Sequence, residues 1–238
     1  MTNKKALIAM SGGVDSSVAA YLVKNMGIDC IGATMKLFNG YEEEARPNSC
    51  CSASDVEDAK SVAYKLGMPY YVFNFTDKFS ECVIDKFVNA YEHGATPNPC
   101  IDCNRYLKFE KLYQRAMELK ADYVVTGHYA RVERDSQTGR FLLKKAEDHT
   151  KDQSYVLYSL TQEQLSHTLF PLGELKKTEV RQIAEKCGFI NARKHDSQDI
   201  CFVQNGKYSD FIENYMNKTY PPGDFIDKNG HVLGKHKG

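Results

Sequence analysis

The chain has 238 residues, 42% hydrophobic and 26% charged. That is enough for one large core with a small appendage and too few for two full-size domains; a disordered or fibrous chain is excluded. Lys plus Arg and Asp plus Glu each number 31, so the basic excess common in nucleic-acid binders is missing and charge alone points to no polyanionic partner. The opening MTNKKALIAM has an apolar run too short for a signal peptide or membrane span. The expectation is a cytoplasmic protein whose eight cysteines serve as thiols, metal ligands or catalytic groups rather than as disulfides.

Lys5, Ala6, Leu7, Ile8, Ala9 and Met10 read as a buried strand, followed by a Ser-Gly-Gly turn and a helix from Asp15 to about Met26. Residues 28–35 give a second strand. Val56, Ala59, Ala63 and Leu66 recur at helical spacing until Gly67 stops the run, and the aromatic YYVFNF of residues 70–75 predicts a third strand. A helix over 77–92, the turn-rich GATPNPC, a basic helix from about Asn104 to Leu119 and a short strand over 122–126 come next. Residues 129–134 and 140–145 flank DSQTGR as a hairpin, and a helix covers 177–187. Beyond Gly206 a short helix near Tyr208–Met216 precedes PPGDF and DKNGH, which read as turns.

Strands alternating with helices predict an α/β fold, a mostly parallel sheet with helices on both faces and a small C-terminal extension. Residues 1–205 are expected to form that α/β domain and residues 206–238 the small extension. In such sheets ligands bind beyond the carboxyl ends of the strands.

The run Ala9, Met10, Ser11, Gly12, Gly13, Val14, Asp15, Ser16, Ser17 lies at such an end. Two glycines let the backbone approach an anion, serine hydroxyls can donate, and the following helix aims its N–H groups and positive dipole end at a phosphate. It is not a Walker A loop, because no Lys-Ser/Thr pair follows the glycines. SGGxDS resembles the loop of the ATP pyrophosphatases, which cleave ATP between its α and β phosphates. Met35 and Gly127, at the ends of two strands, lie where adenine and ribose would rest, although each taken alone is a packing residue.

Cys100 and Cys103 form a CxxC after Thr96-Pro97-Asn98-Pro99, where two prolines stiffen the chain and an Asn can cap the turn. Cys201 follows the polar Ser197-Gln198-Asp199-Ile200. These three are the candidates for chemistry. The alternative for the CxxC is half of a structural zinc site completed by Cys50 and Cys51. Cys30, Cys82 and Cys187 fall within predicted elements as small hydrophobes.

With SGGVDSS, TPNPCIDCN, VTGHYARV, KDQSYVLYSL, FPLGELKKTEVRQIA and SQDICF in that order, the chain resembles the tRNA-specific 2-thiouridylase family from residue 4 to about residue 235. The resemblance implies a tRNA-uridine 2-sulfurtransferase. ATP, with Mg²⁺, adenylates the C2 oxygen of the wobble uridine U34, and sulfur then displaces AMP to leave 2-thiouridine. It implies a sulfur donor such as a cysteine desulfurase or relay protein, and neither membrane nor DNA as partner. By motif position, Cys201 receives the sulfur as a persulfide and Cys103 is its partner thiol. Asn98, Pro99 and Cys100 meet the target base, and His128, Lys151, Asp152 and Gln153 contact tRNA.

Many family members carry Asp where this chain has Cys100, which leaves a proton-transfer role at that position open. Cys100, Cys103 and Cys201 could equally ligate a [4Fe–4S] cluster whose fourth iron binds hydrosulfide, so persulfide and cluster routes stand side by side. The family continues past GKHKG into a C-terminal β-barrel that helps grip tRNA, and this chain ends before it. Basic residues remain at Arg105, Lys108, Lys111 and Arg115 along one helix, and at Lys176, Lys177 and Arg181. Another ATP pyrophosphatase, or a non-catalytic tRNA-binding or iron–sulfur or zinc scaffold, is the alternative function.

Overall fold

A computed structural model describes residues 4–38, 53–196, 200–203 and 207–238. Cys50, Cys51, Ser197, Gln198 and Asp199 lie outside the described residues. The chain divides into two units, Met1–Gln198 and Asp199–Gly238.

In the first unit, five parallel strands run in the order β3-β2-β1-β4-β7. They are β1 (Lys5–Ala9), β2 (Asp29–Lys36), β3 (Tyr70–Asn74), β4 (Tyr123–Val125) and β7 (Thr168–Leu169). Ala6, Leu7 and Ile8 of the central strand are fully buried, as an unbroken apolar run covered on both faces requires. Helices α1 (Val14–Asn25) and α2 (Ala53–Lys65) make the crossovers from β1 to β3, and α8 (Lys177–Lys186) packs against α1. The chain then passes beneath β1 to β4. Right-handed crossovers therefore place the helices between β3 and β4 on the opposite face. The direction reverses between β1 and β4, and the crevice beyond their carboxyl ends is the place for a ligand.

That second helical layer differs from expectation in detail. The single helix expected over 77–92 is α3 (Thr76–Phe79), a π-helical turn (Ser80–Ile84) and α4 (Asp85–Glu92). The basic helix is preceded by α5 (Pro99–Asp102), opens as a nine-residue π-helical stretch (Cys103–Lys111) and becomes α-helical only in α6 (Leu112–Glu118). Widened turns shift the side-chain register and recur at functional sites. The expected hairpin is present as β5 (Ala130–Arg134) paired antiparallel with β6 (Phe141–Lys145). Helix α7 (Gln162–Ser166) and the two-residue β7 were not anticipated; Thr161 and Gln164 form a capping box that starts α7.

In the second unit, α9 (Tyr208–Met216) is followed by a hairpin of β8 (Gly223–Ile226) and β9 (Val232–His236). PPGDF thus leads into a strand rather than closing a turn. DKNGH is the hairpin's turn, with Asp227 Oδ1 accepting from the amides of Asn229 at 2.7 Å and His231 at 2.9 Å.

Candidate functional site

Beyond the ends of β1 and β4 lies a cleft of about 270 Å³. One side is Ser11, Gly13, Val14 and Asp15; Tyr129, Lys151 and Gln153 follow the β4 loop, and Asp55, Lys194, His195 and Asp196 close it. The glycine-rich loop is held by its own serines. Ser16 Oγ accepts from Ser11 N at 3.2 Å and donates to Gly13 O at 3.0 Å, and Ser17 Oγ donates to Gly13 O at 3.1 Å. Both serines are buried, so these hydroxyls shape the loop while the backbone faces the cleft. Gly13 caps α1 without a side-chain hydrogen bond, which leaves the helix's first amides available to an anion.

Two glycines are required sterically. Gly12 has φ +75°, and a Cβ there would lie 2.3 Å from the Asp55 carbonyl oxygen. At Gly127 a Cβ would lie 2.8 Å from the backbone of both Asp15 and Ser16. The β4 loop thus presses directly on the start of α1. Ala9 ends β1, Met10 is buried beneath the loop, and Met35 sits half-buried in β2 opposite Phe73.

A charge network surrounds the loop. Lys177, at the start of α8, reaches both Asp15 oxygens at 2.7 Å and Asp196 at 2.7 Å. Tyr129 donates its hydroxyl to Asp15 at 2.9 Å, and burial, the Asp15 charge and that bond push the phenol's pKa strongly up. Lys151 and Arg181 complete the cations around Asp196, at 2.9 and 3.0 Å. Burial opposes ionisation of Asp196, but the Lys177 and Lys151 hydrogen bonds prevail and hold its carboxyl below the usual range. Asn191 donates to Gly12 O at 2.8 Å and to Ser17 Oγ at 2.9 Å. Lys194 bridges Asp55 and Asp58 of α2, both at 2.6 Å.

The sequence reading treated Lys177 and Arg181 only as a basic run and overlooked Tyr129, Asn191, Lys194 and Asp196. A Lys at the first turn of a helix, where the dipole disfavours it, was the available signal for Lys177.

Of the residues expected against RNA, Lys151 and Gln153 line the same cleft as the glycine loop. Asp152 instead accepts from Ala146 N and Ser154 Oγ, both at 2.8 Å, and ties the β6 end to the following turn. His128 is buried, pairing Nδ1 with Thr126 Oγ1 at 2.6 Å and Nε2 with Lys108 Nζ at 3.5 Å. Desolvation, then the Lys108 charge, lowers its pKa well below 6.5, so it is neutral. Lys108 can only donate, which fixes Nε2 as acceptor and puts the proton on Nδ1.

Asn98 caps α5 by accepting from Cys100 N at 3.1 Å, with Pro99 in the first turn. Asn104 returns a bond to Cys100 O at 2.9 Å. Cys100 is exposed and Cys103 half-buried; they stand three residues apart at the start of a helix rather than on a loop. Cys201 is half-buried in a turn of the second unit. Cys30 and Cys82 are buried, and desolvation pushes the Cys30 thiol up to about 11. Among the described residues no three His, Cys, Asp or Glu side chains gather as a metal site, and no helix is long and apolar enough to cross a membrane.

The fold recurs in a 4-thiouridine synthetase solved as an RNA complex with bound ATP. The TM-score is 0.55 at 18% identity, over 84% of this chain and 45% of that one. It recurs also in the NMN synthetase of Francisella tularensis, with a TM-score of 0.50 at 16% identity, over 92% of this chain and 80% of that one. At that distance the likeness is one of architecture, a mostly parallel sheet with helices on both faces.

In sequence, the chain is 52% identical over 236 residues to the tRNA-specific 2-thiouridylase MnmA of Clostridioides difficile (strain 630). It is 54% identical over 238 residues to tRNA-specific 2-thiouridylase MnmA 1 of Thermoanaerobacter sp. (strain X514). Each match takes in 99% of this chain and 65% of the relative, so the chain spans just under two thirds of their length. The family model described as the tRNA methyl transferase HUP domain matches residues 4–205. The model covers most of the chain, which therefore belongs to that family.

Proposed function

We propose that the protein is a tRNA-uridine 2-sulfurtransferase that spends ATP to exchange the C2 oxygen of a wobble uridine for sulfur. The observation that carries this reading is the cleft at the β1/β4 reversal, lined by the glycine loop, the open N-terminus of α1 with its Asp15, and Lys151, while Lys177 holds Asp15. The relatives, named for 2-thiouridylation, support it in the same direction.

A carbonyl oxygen leaves poorly, and converting it to an adenylate makes AMP the leaving group. In the proposed first step the uridine C2 oxygen attacks the α phosphorus and pyrophosphate departs. The amides of the first turn of α1 hold phosphate oxygens, and Lys177 balances charge from the closed side of the cleft. Asp15, with part of its carboxylate open to the cleft, suits a Mg²⁺ shared with phosphate oxygens, since that ion is typically bound by one or two carboxylates plus substrate. Such an ion would neutralise the departing pyrophosphate.

In the second step sulfur attacks C2 and AMP leaves. We assign the sulfur to Cys201 as a persulfide supplied by a cysteine desulfurase or relay protein, with Cys103 as partner thiol. Asn98, Pro99 and Cys100 then face the base, while His128, Lys151, Asp152 and Gln153 form or buttress the RNA side. Iron and acid-labile sulfide assays of the anaerobically purified chain separate this route from the [4Fe–4S] alternative on Cys100, Cys103 and Cys201. A tRNA substrate and reduced thiols suit a cytoplasmic setting.

The test is tRNA-dependent release of pyrophosphate and formation of 2-thiouridine by the purified chain, its Asp15→Ala variant, and its Cys103→Ala and Cys201→Ala variants. Asp15→Ala should abolish both readouts, whereas the cysteine variants should release pyrophosphate and make no 2-thiouridine. Equal loss of both steps in every variant would refute the division of labour.

A further inference from the structure

Three cations converge on one carboxylate at the edge of the nucleotide cleft. Asp196 Oδ2 is 2.9 Å from Lys151 Nζ, and Asp196 Oδ1 is 2.7 Å from Lys177 Nζ and 3.0 Å from Arg181 Nη2. Lys177 also holds Asp15. Three positive charges therefore face two negative ones, and the side chains are partly withdrawn from water, Lys177 most of all. A lone carboxylate is a small occupant for such a cage. A polyphosphate brings more charge and more acceptor oxygens, and both lysine and arginine suit it.

The placement is equally specific. Lys151 and Asp196 line the same cleft as Ser11, Gly13 and Asp15. Asp196 ends a segment fixed upstream by Asn191 on the glycine loop and by Lys194 on α2. Its carboxylate thus reaches the cage from a stretch already clamped to the nucleotide loop. An ion pair needed only to fasten α8 would not require a third cation delivered by the turn after β6.

We propose that Lys151, Lys177 and Arg181 form the subsite for the pyrophosphate portion of the nucleotide, and that Asp196 is a built-in competitor which the phosphates displace. This rests on the ATP-using reading above and deepens it. In the resting chain Asp196 keeps the cage filled and the cations ordered. On binding, the β and γ phosphates exchange for the carboxylate, so part of the binding energy is spent on displacing it. After the α–β bond is cut, the returning carboxylate helps expel pyrophosphate.

The test uses the 238-residue chain without RNA and measures its affinity for AMP, ATP and inorganic pyrophosphate, alongside Asp196→Asn and Lys151→Gln variants. Asp196→Asn should bind ATP and pyrophosphate about tenfold more tightly, and Lys151→Gln about tenfold more weakly, with AMP unchanged in both. Unchanged or weaker pyrophosphate binding by a folded Asp196→Asn would overturn the competitor. If that variant melts early, Lys151→Gln decides the cage: unchanged pyrophosphate binding, or an equal shift for AMP and ATP, would overturn it. Failure of the parent chain to bind either adenine nucleotide would instead sink the ATP-using reading itself.

Discussion

Replacing Gly12 by alanine should damage the fold, whereas the same change at Gly13 should leave fold stability nearly unchanged. At Gly12, φ of +75° costs an L-residue about 1 kcal/mol. The new methyl would stand 2.3 Å from the Asp55 carbonyl oxygen and 2.7 Å from its Cα, all backbone, so the first turn of α2 must move. Overpacking of that kind costs about 1–3 kcal/mol, giving about 2–4 kcal/mol together. A loss of about 3 kcal/mol lowers Tm by roughly 6–12 °C in a domain of this size. Gly13 has φ −86° and ψ 161°, ordinary extended backbone, and its Cβ would meet only Ser11 Oγ at 3.4 Å. The change there should stay within about 0.5 kcal/mol. Thermal unfolding of the two variants provides the assay. Equal melting temperatures, or a Gly13→Ala variant as impaired as Gly12→Ala, would refute the argument that the approach of α2 sets the glycine requirement.

Asn98→Ala removes the cap of α5 and should cost about 1 kcal/mol locally, seen as faster hydrogen exchange at the Cys100 amide; unchanged exchange would show the cap to be idle. His128 makes stability acid-sensitive. The folded imidazole stays neutral because its pKa lies well below 6.5, whereas an unfolded chain's histidine takes up a proton below that pH. The unfolded state then binds more protons, so stability falls as pH drops below about 6.5. His128→Asn should flatten that fall in urea unfolding measured between about pH 7 and about pH 5; an unaltered slope would move the effect to other groups.

The central strand, the glycine loop and the alternation of elements were legible because each rests on a local pattern: five apolar residues after Lys5, two glycines, and helical spacing up to Gly67. The π-helical stretches were not, since Cys103–Lys111 carries the same residues an α-helix would accept and the wider turn is chosen by packing. Strand β7 was missed because two residues make no pattern; Thr168 and Leu169 are strand only by pairing with Val124 and Val125. The helical start at Pro99 could have been found, as Asn before Pro is a cap followed by the residue best suited to a first turn. Asn191 and Asp196 could not, because their roles depend on partners 179 and 45 residues away in a stretch without periodicity.

The bond from Asn191 to Gly12 also sets a timetable. During synthesis the glycine loop leaves the ribosome long before the residue that fastens it, and at about 5–20 residues per second the 179-residue gap lasts roughly 10–35 s. Over that interval the first strand and its loop exist without Asn191 or Asp196, and for nearly all of it without Lys177. The finished pocket therefore closes late, as one of the longest-range events in the unit.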